Sequence, residues 1–397
     1  MLFLAYDYFF TNFYKENKDG KIKLAVAEET GLTIRKTVFT HNNSQIKSYI
    51  DGATAFPAIE NLIKSAKKTL FIEIFIFHND ITGIKIANLL GNMKAKGIDV
   101  KVLIDSTGLK FGKDDSKIVD LLKNKKVDTL VFNSKFISET GINITHRKVI
   151  IVDGFKVMTG GMNFGKEYQY VWHDSMHETS GQVAQDIQKE FLYDWKRAGG
   201  EMPKNILKLD NKKYGNVKMK VITTNVTPDN TNHDIHDDFL SIIKKTKKTL
   251  KIQSPYFSDD DMIDAIIEAR KRNVKVTIIM PQHNNHSVFK DLNLYTAKKF
   301  FDNKIDTYFY QPKFSHLKAF ISDDIAIIGS ANIDKRSFTG NQELCVVVQD
   351  KNFVADIEKN VFVKDIKVSK KADENNTKIG VAQKSMIRSL EILDYYL

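Results

Sequence analysis

Residues 146–153 read HRKVIIVD, and the same arrangement returns 170 residues later as HLKAFISD at 316–323. Each copy has a histidine, a lysine two residues on, and an aspartate closing an apolar run: His146, Lys148 and Asp153, then His316, Lys318 and Asp323. Each copy leads into a glycine-rich turn ending in asparagine, TGGMNFG with Asn163 and GSANID with Asn332. Eleven residues beyond each asparagine stands a carboxylate, Asp174 in the first copy and Glu343 in the second. One such set could be accidental. Two in register point to two half-sites that meet as one phosphate-handling centre.

The repeat extends outward from the histidines. IKSAKKTL (63–70) returns as IKKTKKTL (243–250), and Val100-Lys101-Val102 as Val274-Lys275-Val276. The spacing drifts only slowly along the chain, as duplicated units with altered loops would give. Within each unit the pattern alternates. Apolar positions at helical spacing predict helices at about 54–67, 82–96, 235–247 and 259–272, and β-rich runs predict strands at 69–77, 100–104, 250–257 and 274–280. The acidic cluster Ser258–Asp261 reads as an N-cap. Strand–helix–strand alternation implies two α/β halves with mixed, largely parallel sheets. The expected division is an N-terminal segment (1–49), a first half (50–200), a polar linker with Gly199, Gly200 and Pro203 near its start (201–234), a second half (235–365) and a tail (366–397).

Bulk properties narrow the function. The 397 residues suit two domains, and 42% apolar content supports sizeable cores. The single cysteine, Cys345, excludes disulfides within the chain and cysteine-based metal sites. A formal net charge of +11 favours anionic partners, either nucleic acid or an acidic lipid surface. No apolar stretch reaches the roughly 20 residues that span a bilayer, and no basic region precedes the N-terminal apolar run as in a signal peptide. Seven aromatic residues lie between Phe3 and Tyr14, so this segment either anchors at a membrane interface or packs on the body. Met386, Leu390, Leu393 and Leu397 give the tail an amphipathic character with the same two readings.

The repeated residues suit displacement at a phosphodiester. Two lysines and two asparagine amides can surround its non-bridging oxygens. A histidine of ordinary pKa near 6.5 serves as nucleophile or general acid at neutral pH. A carboxylate behind each ring, Asp174 or Glu343, fixes the tautomer and steadies the imidazolium. With lysines carrying the positive charge, neither metal nor cofactor is called for.

The doubled HxKxxxxD, with GGMN and GSAN after it, resembles the phospholipase D superfamily over about residues 50–350. Longer stretches, among them DGATAFPAIENLI, THRKVIIVDG, QSPYF and GSANIDKRSF, resemble bacterial cardiolipin synthases. The resemblance implies an α/β fold of two duplicated α/β/α halves with the active site between them. It makes His146 the nucleophile that forms a phosphohistidine, and His316 the general acid and then base. It assigns phosphate binding to Lys148, Lys318, Asn163, Asn332 and Ser330, with Gly161 where the first half would have its serine. Asp153 and Asp323 belong to the motif and also close their strands. The implied reaction transfers a phosphatidyl group from one phosphatidylglycerol to another, at the cytoplasmic face of a bacterial cell membrane with peripheral attachment. A phospholipase D or nuclease using water as acceptor is the alternative. A catalytically dead binding protein is disfavoured by the intact double motif.

Some residues read less decisively. Glu73 interrupts an apolar strand and is expected either to line the cleft or to pair with a lysine. His233 with His236, and His283 with His286, have metal-ligand types without supporting context. The lysine runs at 122–126 and 244–248 read as solvated faces.

Overall fold

Each copy of the repeat builds its own β-sheet in the computed structural model, which describes residues 38–132, 144–204, 206–208, 212–226 and 232–380. The aromatic N-terminal run and the four apolar tail residues lie outside the described residues. The first half runs β1 (Lys47–Ile50), α1 (Gly52–Lys64), β2 (Thr69–Ile74), α2 (Ile81–Ala95), β3 (Asp99–Asp105), α3 (Ser116–Asn124), β4 (Asp128–Phe132), β5 (Lys148–Val152), β6 (Lys156–Gly160), α4 (Lys166–Tyr170), β7 (Ser175–Ser180) and α5 (Gln182–Arg197). The second runs β8 (Lys218–Asn225), β9 (Asn232–His233), α6 (Asp234–Lys245), β10 (Thr249–Gln253), α7 (Asp260–Lys271), β11 (Lys275–Pro281), α8 (Ser287–Asp302), β12 (Asp306–Tyr310), β13 (Ala319–Ser322), β14 (Ile325–Gly329), α9 (Lys335–Thr339) and β15 (Glu343–Gln349). It closes with α10 (Lys351–Ile357), a π-helical turn, α11 (Val363–Lys367) and β16 (Ser369–Lys371).

The seven strands of the first sheet lie in the order β1-β7-β6-β5-β2-β3-β4, and the nine of the second in the order β16-β12-β11-β10-β13-β14-β15-β8-β9. Both sheets are mixed, as expected, but antiparallel pairs outnumber parallel ones. In each sheet only the strand–helix–strand crossovers are parallel, β2–β3–β4 and β10–β11–β12. The histidine-bearing strand then returns as an antiparallel meander, β5–β6–β7 or β13–β14–β15. The β5–β6 and β13–β14 connections are too short for the crossover a parallel pair would need, so they close as hairpins, whereas β6–β7 and β14–β15 are joined by longer segments that carry α4 and α9. Two boundaries also move. Residues 218–225, within the expected linker, are a full strand of the second sheet beside β15, and residues 369–371, within the expected tail, add an edge strand to β12.

Strand alternation divides the core into layers. Phe71, Val149 and Ile151 face a central apolar layer with α5, α10 and the inner face of the second sheet, including Leu317, Ile321 and Leu344. Their neighbours Leu70, Ile72, Ile150 and Val152 face outward onto α1, α2 and α3. The second sheet mirrors this, with α6, α7 and α8 outside. The central layer fixes one half against the other, and so fixes the site at their junction.

The paired repeats KKT and HxKxxxxD form one device. Asp153, at φ 52°, accepts the amide hydrogens of Lys67, Lys68 and Thr69. Asp323, at φ 49°, accepts those of Lys247, Lys248 and Thr249. Aspartate tolerates the left-handed conformation and satisfies three amides that would otherwise lack partners. Each aspartate thereby anchors the entry to the central strand, β2 or β10, at the strand end opposite its lysine.

Candidate active site

The histidines sit just before the strands their motifs form, since β5 opens at Lys148 and β13 at Ala319. Each is held by main chain from the other half. The His146 N–H donates to the Gln342 carbonyl at 2.8 Å, and the His316 N–H to the His173 carbonyl at 2.8 Å. Thr145 with Gln342, and His173 with Ser315, form parallel bridges across the junction. The next residue along, Glu343 or Asp174, then lies beside the opposite histidine. The carboxylates are therefore exchanged: His146 Nδ1 is 2.8 Å from Glu343 Oε1, and His316 Nδ1 is 2.7 Å from Asp174 Oδ2. Neither half-site is complete without the other half.

Both lysines are buried beside their own histidines. Lys148 Nζ donates to the His146 carbonyl at 2.6 Å, while Lys318 Nζ donates to the His316 carbonyl at 2.8 Å and lies 3.2 Å from its Nε2. Desolvation pulls Lys148 down to about 7 and Lys318 to about 8, with the nearby carboxylates opposing the fall. Desolvation also takes His146 down to about 4, with Glu343 opposing and Lys148 assisting. It takes His316 to about 3, assisted by Lys318 and opposed by Asp174. Glu343 is held down to about 2 despite burial, by His146, Lys148 and the Ser330 hydroxyl. Histidine values this low favour the neutral imidazole at pH 7, and the carboxylate beside each Nδ1 favours the tautomer that donates from that nitrogen. Each lone pair then rests on Nε2. Among the described residues nothing hydrogen-bonds His146 Nε2.

The asparagines and the serine differ in placement. Asn163 Oδ1 accepts the Ile76 N–H at 2.9 Å, and its amide donates to the Tyr168 hydroxyl at 2.8 Å. Asn332 Oδ1 is buried without a hydrogen-bond partner. Ser330 does not face the cavity between the histidines. Its hydroxyl donates to Glu343, which also accepts from Ser337 at 2.9 Å, so the serine holds a carboxylate where phosphate contact was expected. The first half has no room for that hydroxyl, because a Cβ at Gly161 would lie 2.2 Å from Asp174 Oδ1. The shorter Asp174 is steadied by the Ser175 N–H instead. Asp153 and Asp323 are not brought to the site.

A cavity of about 400 Å³ joins the two half-sites, lined by His146, His316, Asn163 and Asn332. Its walls are largely aromatic, with Phe75, Phe111, Tyr168, Trp172, Tyr256 and Phe289. Phe75 stands edge-on to His146, and Tyr168 and Trp172 flank His316. These rings were not singled out from the sequence, where they look like ordinary core.

Behind each half-site lies a buried cation, and the two differ. Arg147 is fully buried among Asp194, Glu190 and Asn225, with its charge favoured further by Asp194 and Glu73. Glu73 thus belongs to an arginine cluster rather than to a lysine pair, and takes a hydrogen bond from Thr145. On the other side, His173 lies between Asp51 at 2.7 Å and Asp365 at 2.8 Å, stacked on Tyr310. Burial opposes its charge, but the two carboxylates raise it to about 9. The remaining histidine pairs assemble no metal site among the described residues. His233 bonds the Phe338 carbonyl, and His236 faces Asp259, the N-cap of α7.

A family profile described as "Cardiolipin synthase, PLD-like domain" matches residues 59–195 and 239–364. A cardiolipin synthase of Clostridium perfringens (strain 13) is 30% identical over 359 residues, covering 84% of this chain and 73% of the relative. One from Oceanobacillus iheyensis is 31% identical over 349 residues, covering 84% and 71%. Among solved structures, a phosphatidylserine synthase of Haemophilus influenzae superposes with TM-score 0.68 at 16% identity, over 96% of this chain and all of the other. A polyphosphate kinase of Porphyromonas gingivalis shares the fold at TM-score 0.55 and 10% identity, over 88% of this chain and 54% of that one.

Proposed function

The chain belongs to the phospholipase D superfamily, within the family of cardiolipin synthase domains, and is an enzyme of that superfamily; from this premise we propose that it is a phosphatidyltransferase acting on phosphatidylglycerol through a phosphohistidine. The observation that carries the reading is the pair of histidines facing one aromatic-walled cavity, each held through Nδ1 by the other half's carboxylate.

His146 Nε2 attacks the phosphorus of the first lipid, and the phosphorus–oxygen bond to glycerol breaks. The departing oxygen takes a proton from His316 Nε2. A second phosphatidylglycerol then approaches, its glycerol hydroxyl gives a proton back to His316, and its oxygen displaces His146. Glycerol and cardiolipin leave. His316 must be protonated for the first step, and the free site disfavours this. A bound phosphodiester supplies the missing charge, since an anion beside the ring raises its pKa and draws Lys318 toward the phosphate oxygens. The same anion favours the charged forms of Lys148 and Lys318. These two lysines and the Asn332 and Asn163 amides cradle the phosphate, so the chemistry needs no metal. Ser330, Asp153 and Asp323 act as scaffold in this scheme.

The test is to incubate the purified protein with phosphatidylglycerol vesicles in EDTA and analyse products by mass spectrometry. Cardiolipin and free glycerol are expected. Phosphatidic acid alone assigns water as the acceptor. Cleavage of single-stranded DNA without any lipid product rejects the lipid reading, and zinc-restored activity after loss in EDTA rejects the metal-free mechanism.

A further inference from the structure

Among the described residues, eight large apolar side chains are exposed, and five of them, Ile81, Ile84, Phe111, Tyr170 and Val171, lie on or beside segments that line the active-site cavity through His78, Thr107, Phe111, Glu167, Tyr168 and Trp172. They come from three separate segments, the start of α2, the loop after β3, and the end of α4. Tyr170 is 65% exposed and Ile81 69%. A scattered exposed aliphatic means little, but a cluster around a binding cleft marks an interaction surface.

The three segments are clipped into one frame. His78 Nδ1 lies 2.7 Å from Asp115 Oδ2, and its Nε2 lies 2.6 Å from Glu167 Oε1. This joins the loop bearing Phe111 to the helix bearing Tyr170. Asp80 caps α2 and also accepts the Lys166 N–H, while Thr82 donates to Gln169. Phe111 packs edge-on against Phe75, which stands beside His146. The apolar side chains are therefore presented by an ordered rim continuous with the cavity wall.

The charge of the rim has a sign. Asp80, Asp115 and Glu167 are all engaged in the frame, and Asp114 is paired with Lys117. Exposed lysines Lys113 and Lys166 lie in the same segments. Apolar side chains with lysines in the same segments match the interface of an anionic bilayer, where rings and aliphatics insert and ammonium groups meet phosphates.

We propose that this rim is the membrane-docking surface, seating the cavity mouth on an anionic phospholipid bilayer so that a substrate headgroup enters with its acyl chains still in the lipid. The inference rests on the phospholipid reading above. It places docking on the body of the first half, independently of the chain ends.

The experiment is co-sedimentation of the full chain with phosphatidylglycerol vesicles and with phosphatidylcholine vesicles. The variant Ile81→Asp/Tyr170→Asp/Val171→Asp loses about tenfold or more in affinity for phosphatidylglycerol vesicles. The control Val363→Asp/Val368→Asp, which alters two exposed valines elsewhere, binds as the native chain does. Turnover of dispersed short-chain phosphatidylglycerol by the rim variant stays within about twofold of native, and this assay reports the chemical reading separately. Should the rim variant fail to fold, hydrogen exchange on the native chain decides. Vesicles then slow exchange across 106–115 and 166–172 and leave 363–368 unchanged. Native-like vesicle binding by a folded rim variant, an equal loss in the control, or no protection of these segments overturns the proposal.

Discussion

The two half-sites share a motif but not a foundation. Behind His146 and Glu343 stands Arg147, a cation that carries its charge across the whole working range, in a cluster with Asp194 and Glu73. Behind His316 and Asp174 stands His173, whose charge depends on Asp51 and Asp365. Gln342 and His173 occupy matching positions one residue before the carboxylates, and each gives its carbonyl to the opposite histidine. The first half has Glu73 where the second has Gln253, which bonds Asp365 and Ser315. A duplicated fold has thus kept the geometry of both half-sites while making one permanently charged at its base and the other titratable. The difference falls on the side proposed to handle protons.

The largest test of that comparison exchanges the supporting carboxylates for amides. Glu343→Gln and Asp174→Asn should each lower kcat by about 10²- to 10⁴-fold, as removal of an orienting carboxylate does in other histidine systems. They should differ with a substrate whose leaving group needs no proton, such as a nitrophenyl phosphodiester. Asp174→Asn then recovers much of the first step, whereas Glu343→Gln does not. Equal recovery in both, measured by rapid-quench release of nitrophenol, would erase the proposed division of labour.

The buried cations give a smaller, pH-dependent effect. His173→Gln should lower kcat by roughly tenfold, because Asp51 and Asp365 lose their positive partner. The native enzyme should lose an additional increment of activity as pH rises through about 9, where His173 gives up its proton. That increment should vanish in the variant. A native pH profile unchanged by the substitution would reduce His173 to packing alone.

Smaller still are the effects on stability. Asp153→Ala and Asp323→Ala should each cost about 1–3 kcal/mol by releasing three amides, with kcat per folded molecule unchanged. Denaturant titration separates the two effects. The acid limb of stability can be signed as well. His146 and His316 ionise near 4 and 3 in the folded chain, against about 6.5 unfolded. From pH 6.5 downward the unfolded chain therefore binds protons that the folded chain refuses, and stability falls, by up to about 1.4 kcal/mol per pH unit for each ring. His316→Gln should flatten that limb in melting curves taken between pH 4 and 7.

Much of this was legible in the sequence because duplication prints each candidate site residue twice. The histidines, lysines, asparagines and carboxylates are all visible as repeats, and the four predicted helices, α1, α2, α6 and α7, fall within about three residues of their periodic patterns, whereas the long helices α5 and α8 were not among those predicted. The crossing of Asp174 and Glu343 was not legible, since it arises from main-chain pairing between segments far apart in the chain. Parallel and antiparallel return of a strand also look alike in an apolar run such as VIIV, so the meanders were misread. Ser330 illustrates a further limit. Its position matches a phosphate contact, yet its hydroxyl is taken by Glu343. Arg147 and His173 sat in plain view beside motif residues, but only burial among carboxylates distinguishes a structural cation from a solvated one.

The central claim is that one site is shared between the halves, with His146 attacking and His316 moving protons. It is tested most directly by incubating His316→Gln with a nitrophenyl phosphodiester and mapping the modified residue by mass spectrometry. The phosphoryl adduct should accumulate on His146, and His146→Gln should form none. An adduct on His316 of the native chain, or persistent turnover by His146→Gln, would contradict the account.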